Sequence, residues 1–197
     1  MLADELLLLT LSSSEGRNMR NHPGIRAAVC GANLLDQWLI GEPLPGNLRR
    51  HISKHNYDSL EPALGRLAAA GRISTSSGHG KVRAMLGARW DTLQDVGAAA
   101  AIRGRLLAAL AGPVLPSARD AALAVVVYEG RLWNWAELEA RSFEDVTILG
   151  RRQPAATPLK ACAQALAEGR FLVDHALPGA LAEIAKAIDW VYRHSGD

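Results

Sequence analysis

The stretch LADELLLLTLSSSEGR, residues 2–17, sets four consecutive leucines behind two acidic residues. A secretory signal would need a positive start and an apolar run of roughly 7–15 residues. Here Asp4 and Glu5 come first, and Leu6–Leu11 is shorter and carries Thr10. No run in the chain approaches the ~18 residues that a membrane span requires. The stretch instead predicts a short buried helix, because its acids suit the positive end of a helix and its leucines are apolar on all sides. SSSEGRN (12–18) then predicts a turn, with Gly16 able to adopt a left-handed conformation. These features imply a cytoplasmic protein whose membrane contact, if any, is peripheral and on the inner face.

The rest of the composition agrees with a helical domain. The chain has 197 residues, enough for one domain with a proper core. It is 49% hydrophobic and only 5% aromatic, with alanine and leucine dominant, so a mainly α fold is expected. The two cysteines, Cys30 and Cys162, are too few for a disulfide scaffold and read as buried thiols. The formal charge of +2 is unevenly placed: residues 12–83 carry ten basic residues against five acidic ones. Such a segment suits an anionic partner, either lipid headgroups or nucleic acid.

Periodicity places the elements. Gly24–Ile40 has Ile25, Val29, Leu34, Leu35, Trp38 and Leu39 near one face, and Gly41 reads as its cap. EPLPG (42–46) reads as a linker before a short basic helix, NLRRHISKHN (47–56). SLEPALGRLAAAG (59–71) reads as a separate helix with Pro62 in its first turn and Gly71 as its stop. RISTSSGHGKVRAML (72–86) alternates as a hairpin turning at SSGHG, with Trp90 expected to pack it on the core. Helices are then expected over 91–112 and 117–130, the latter with Ser117 as N-cap and Gly130 as stop. Further helices are read at 131–149, which holds Trp133 and Trp135 as core, and at 159–169 and 179–194. The expected architecture is a single globular helical domain over 1–197 with one or two small β-hairpins.

Four blocks in order, Asp4–Leu11, Gly24–Gly41, Leu64–Ile73 and Arg119–Gly130, resemble the Golgi phosphoprotein 3 family. The family pattern is an acidic-leucine helix, a long helix ending in glycine, a helix stopped by a glycine turn, and an alanine-rich helix. The composition looks like that of a bacterial relative. The resemblance implies a mainly helical fold and a non-enzymatic adaptor. Such an adaptor binds phosphatidylinositol 4-phosphate on a membrane and holds the tail of a protein there. The family's headgroup tryptophan and arginines align with Asn21, Cys30 and the neighbourhood of Tyr57 and Leu60, so none is retained. The family's longer insert after its second helix is mostly absent, replaced by EPLPGNLRRHISKHNYDS.

Other cations fall near the same place. Arg17, Arg20 and Arg26 surround the turn before the second helix, and Arg49, Arg50 and Lys54 cluster in the basic helix. Together they form the candidate lipid- or anion-binding set. No cofactor or metal is expected. His51 and His55 share a helix face but lack a third ligand in sequence. SSGHGK (76–81) lacks P-loop spacing, and no GxSxG elbow accompanies Ser12–Ser14. The alternative reading is a winged-helix-like DNA-binding regulator using 47–86. Nucleic acid is disfavoured because the helix entering the groove would offer Glu61, alanines and only Arg66.

Overall fold

The computed structural model describes residues 1–11, 20–77, 89–111, 117–132 and 177–195. Expectations for the 12–19 turn, the SSGHG turn, Trp133, Trp135, Cys162 and the helices over 131–149 and 159–169 lie outside the described residues. Within them are six helices: α1 (Leu2–Leu11), α2 (Pro23–Leu39), α3 (Leu48–Ala69), α4 (Val96–Ala111), α5 (Ala118–Glu129) and α6 (Leu177–His194). A two-stranded antiparallel sheet pairs β1 (Ile73–Ser77) with β2 (Arg89–Leu93), from Ile73↔Leu93 to Ser77↔Arg89. The fold is mainly helical with one small sheet.

α1 is buried around its whole circumference: every residue except Asp4 and Glu5 is inside. It packs on α2, α3, α4 and α5, so its apolar surface needs neighbours on all sides. Its first turn is anchored from α2, where the Asp36 carboxylate accepts the Leu2 N–H at 2.7 Å. Arginines from three other helices meet its two acids. Arg66 of α3 donates to Asp4 at 2.7 Å, while Arg105 of α4 and Arg119 of α5 reach Glu5 at 3.1 and 3.3 Å.

α2 lies against α1, α3, α5 and α6, and its small residues permit close approach. A Cβ on Gly24 would overlap the carbonyl oxygen of Gly130, and one on Gly31 would come within 2.5 Å of Ile188 Cδ1. Gly130 is equally confined, with Ala28 Cβ 2.9 Å from where its own Cβ would stand. The C-terminus of α2 closes as a Schellman motif. Gly41 N–H donates to Trp38 and Glu42 N–H to Gln37, with Gly41 at φ +92°. α3 ends the same way around Gly71 at φ +68°.

Three expectations are corrected. The basic helix and the helix expected to follow it are one element, α3, running unbroken through residues 56–59. Its inward stripe is Ile52, Asn56, Leu60, Ala63, Leu64 and Leu67, and a buried asparagine sits where the apolar pattern seems to stop. Pro62 is interior, on the exposed side of the helix. Second, the strand that pairs with β1 is Arg89–Leu93, so Trp90 is itself a strand residue opposite Ser76. Third, α4 starts at Val96 rather than at residue 91. Asp91–Leu93 is held in the sheet, and Asp95 Oδ1 accepts the Ala98 N–H at 2.9 Å.

The glycines separate packing from helix propensity. Gly65, on the exposed side of α3, has open space where a Cβ would go. Gly65→Ala should stabilise the protein by about 0.5–1 kcal/mol, because alanine is the better helix former. Gly24→Ala should destabilise it by about 2–4 kcal/mol, because backbone must move. Urea denaturation of both variants checks the pair; equal effects would contradict the close α2–α5 contact.

Candidate anion-binding surface

The six candidate cations fall into separate environments. Arg17 lies outside the described residues. Arg20 is committed inside the fold: Nε and Nη2 grip the Asp91 carboxylate at 2.7 and 3.0 Å, and Nη1 also meets Glu61. Asp91 is only 6% exposed and accepts a further hydrogen bond from Thr75 Oγ1 at 2.7 Å. A forked arginine–carboxylate pair of this kind fixes geometry. Here it ties the residues before α2 to the sheet and α3, so the expectation that Arg20 serves an external anion is corrected.

Arg26 is also drawn inward. It is 8% exposed, and its guanidinium carbon stands 3.8 Å from the centre of the Tyr57 ring on α3. Tyr57 itself is 64% exposed, so the ring covers the cation from the outside. Arg26 Nε is buried without a hydrogen-bond partner. The pair joins residues on two helices, and only the fold brings them together. The sequence singled out Arg26 as a cation and Tyr57 only as a position where the resembled family carries an arginine, and their pairing had no local signal.

Arg49, Arg50 and Lys54 are exposed on the first turns of α3. Asn47 caps that helix by accepting the Arg50 N–H through Oδ1 at 3.0 Å. Among the described residues none of the three cations makes an ion pair within 4 Å. The nearest acidic influence is on α6. There the Glu183 carboxyl is held below its usual range chiefly by its hydrogen bond to Lys186, and also feels Arg49. His51 and His55 sit among these cations with ring centres 4.6 Å apart. Partial burial pushes the His51 imidazole below its usual range, with His55 and Lys54 adding to the effect. The chain before α3 adds apolar surface: Ile40, at the end of α2, is 77% exposed.

Among the described residues no group of three or more His, Cys, Asp or Glu side chains is placed to hold a metal ion. Nor is any described helix long and apolar enough to cross a membrane. Cys30 is buried, and that burial pushes its thiol up, with a Ser59 hydrogen bond partly offsetting it. The chain matches no protein-family model, no curated protein and no solved structure.

A second electrostatic cluster joins α5 to α6. Burial, with a contribution from Asp189 and against Arg131 and Arg193, raises the Glu129 carboxyl to about 7. Asp189 is itself paired with Arg193 at 2.8 Å and Arg131 at 3.4 Å. A carboxyl whose folded pKa is raised contributes stability that is present in full below about 4.5 and lost as pH passes about 7. Glu129→Gln should therefore leave stability unchanged at pH 4.5. By pH 8 it should exceed the parent by about 1–2 kcal/mol, discounted for the solvent that reaches this half-buried group. Urea titrations across that range test this; a pH-independent difference would exclude Glu129 as the titrating group.

Proposed function

We propose that the protein is a non-enzymatic adaptor of the Golgi phosphoprotein 3 type that docks peripherally on anionic phospholipid through the first turns of α3. The observation that carries this reading is that Arg49, Arg50 and Lys54 stand exposed together without ion pairs among the described residues. The other arginines of the 12–83 segment whose pairing is described, Arg20, Arg66 and Arg72, are matched by carboxylates. Uncompensated cations close in sequence on one helix attract an anionic surface, at about 1 kcal/mol each when well placed. Ile40 gives the same region an apolar contact for the interfacial layer. The family resemblance adds a second partner, the tail of a membrane protein held beside the bilayer.

The DNA-binding alternative drew on two helices within 47–71, and Leu48–Ala69 is one helix.

Co-sedimentation with vesicles tests the docking. Binding should require anionic lipid, weaken steeply with salt, and fall about 100-fold when Arg49, Arg50 and Lys54 are all replaced by glutamine. Equal partition onto neutral and anionic vesicles at low salt would remove the proposal.

A further inference from the structure

Two histidines lie within the docking surface at the start of α3. Residues three and four apart on a helix are neighbours, so Arg50, His51, Lys54 and His55 line one face. The His51 and His55 ring centres stand 4.6 Å apart, with the rings tilted at 44°. Both rings are half-buried, while Arg49, Arg50 and Lys54 around them are exposed. Histidine is the side chain whose charge ordinarily changes between about pH 5 and 8. This face can therefore pass from two positive charges, on Arg50 and Lys54, to four, with Arg49 beside it.

The free protein resists that full charge. Burial holds the His51 imidazole below its usual range, and His55 and Lys54 push it the same way. Among the described residues the carboxylate set beside the rings is that of Asp58, exposed and 3.9 Å from His55 Nδ1. Glu61, further along α3, meets Arg20. Helices α1, α2 and α6 and strand β1 pack on α3, and their charges are committed elsewhere. On α1, Asp4 is held by Arg66, and Glu5 by Arg105 and Arg119. On α2, Asp36 takes the Leu2 N–H, and Arg26 lies under Tyr57. β1 has no charged residue. On α6, Glu183 is bound to Lys186 at 2.8 Å and feels Arg49, while Asp189 is held by Arg193. His194 stacks on Trp190.

We propose that His51 and His55 gate docking by acid: both rings take up protons as the α3 face meets anionic phospholipid, so the surface holds a bilayer weakly at neutral pH and firmly below it. The proposal rests on the docking reading and adds its regulation. An anionic surface acts on the rings in two ways. Its headgroups supply the opposite charges that the α3 face lacks, and its negative potential concentrates protons beside the imidazoles. Protonation and binding then strengthen each other by linkage. The sign follows: the contribution of the histidines is present in acid and is lost as pH rises through the imidazole range.

Co-sedimentation of the full chain with phosphatidylcholine vesicles, with and without phosphatidylglycerol, at about pH 5.5 and about pH 7.5 tests the gate. Phosphatidylglycerol is suitable because its phosphodiester stays ionised over that range. The parent should bind the anionic vesicles about tenfold more tightly at the lower pH. The double variant His51→Gln/His55→Gln should lose that gain. His51→Arg/His55→Arg should bind at the higher pH as the parent does at the lower. Glu129→Gln should keep the full gain, because Glu129 titrates over the same range but belongs to the α5–α6 cluster. In weakly buffered solution at about pH 6.5, adding anionic vesicles should raise the pH with the parent and far less with the glutamine pair.

An equal acid gain in the parent and the glutamine pair would overturn the gate. Binding that needs anionic lipid but does not change with pH would also overturn it, and would leave the docking standing. A parent that partitions equally onto neutral and anionic vesicles at both pH values removes the docking and the gate with it.

Discussion

Burying a helix that is apolar on every side forces the rest of the structure into place. α1 cannot lie on a surface, because each face of Leu6–Leu11 requires cover. Yet the same helix begins with two carboxylates, and burying its start draws them to the half-buried rim of the bundle. The solution is a set of arginines reaching in from α3, α4 and α5, together with Asp36 of α2 receiving the first N–H. Arg119 bridges two of these acids, lying 3.3 Å from Glu5 and 3.6 Å from Asp36. Burial raises the Asp36 carboxyl, while the Leu2 N–H and Arg119 pull it down again. Removing one arginine would leave a half-buried carboxylate behind, so these pairs act together rather than as separate surface bridges.

The second constraint is how closely α2 approaches its neighbours, and it explains a strained residue. α5 ends in a Schellman motif in which the left-handed position is held by Arg131, at φ +59°, and not by a glycine. The glycine is one residue earlier, at φ −74°, a conformation any residue tolerates. Gly130 is required there for another reason: its own Cβ would strike Ala28, and its carbonyl oxygen fills the space over Gly24. Close packing takes the glycine, and the turn accepts an arginine at a cost of about 1 kcal/mol. Arg131 then uses its position to pair with Asp189 on α6.

Where one apolar stripe runs unbroken, the sequence was sufficient. α2, α5 and α6 were legible within one or two residues of their ends, and α1 from its leucines alone. Legibility failed where a long-range partner decides local structure. Asp91 looked like the start of a helix, but Arg20 and Thr75 hold its side chain and the ladder holds its backbone. Asn56 looked like a break between two helices, because a polar residue at an inward position leaves no trace in an apolar pattern. The same limit applied to the site. Arg20 and Arg26 stand six residues apart with equal claims in sequence, yet one is clamped by two carboxylates and the other is stacked on an aromatic ring.

Charge in this chain is therefore informative only after pairing is known. Ten basic residues over 12–83 suggested a basic surface, but Arg20, Arg66 and Arg72 are matched by acids and contribute little net field outside. What remains divides by hydration. Arg49, Arg50 and Lys54 keep their water and can act only through long-range attraction, which is screened by salt and indifferent to the shape of the anion. Arg26 is buried against the Tyr57 ring and adds little to that outward field.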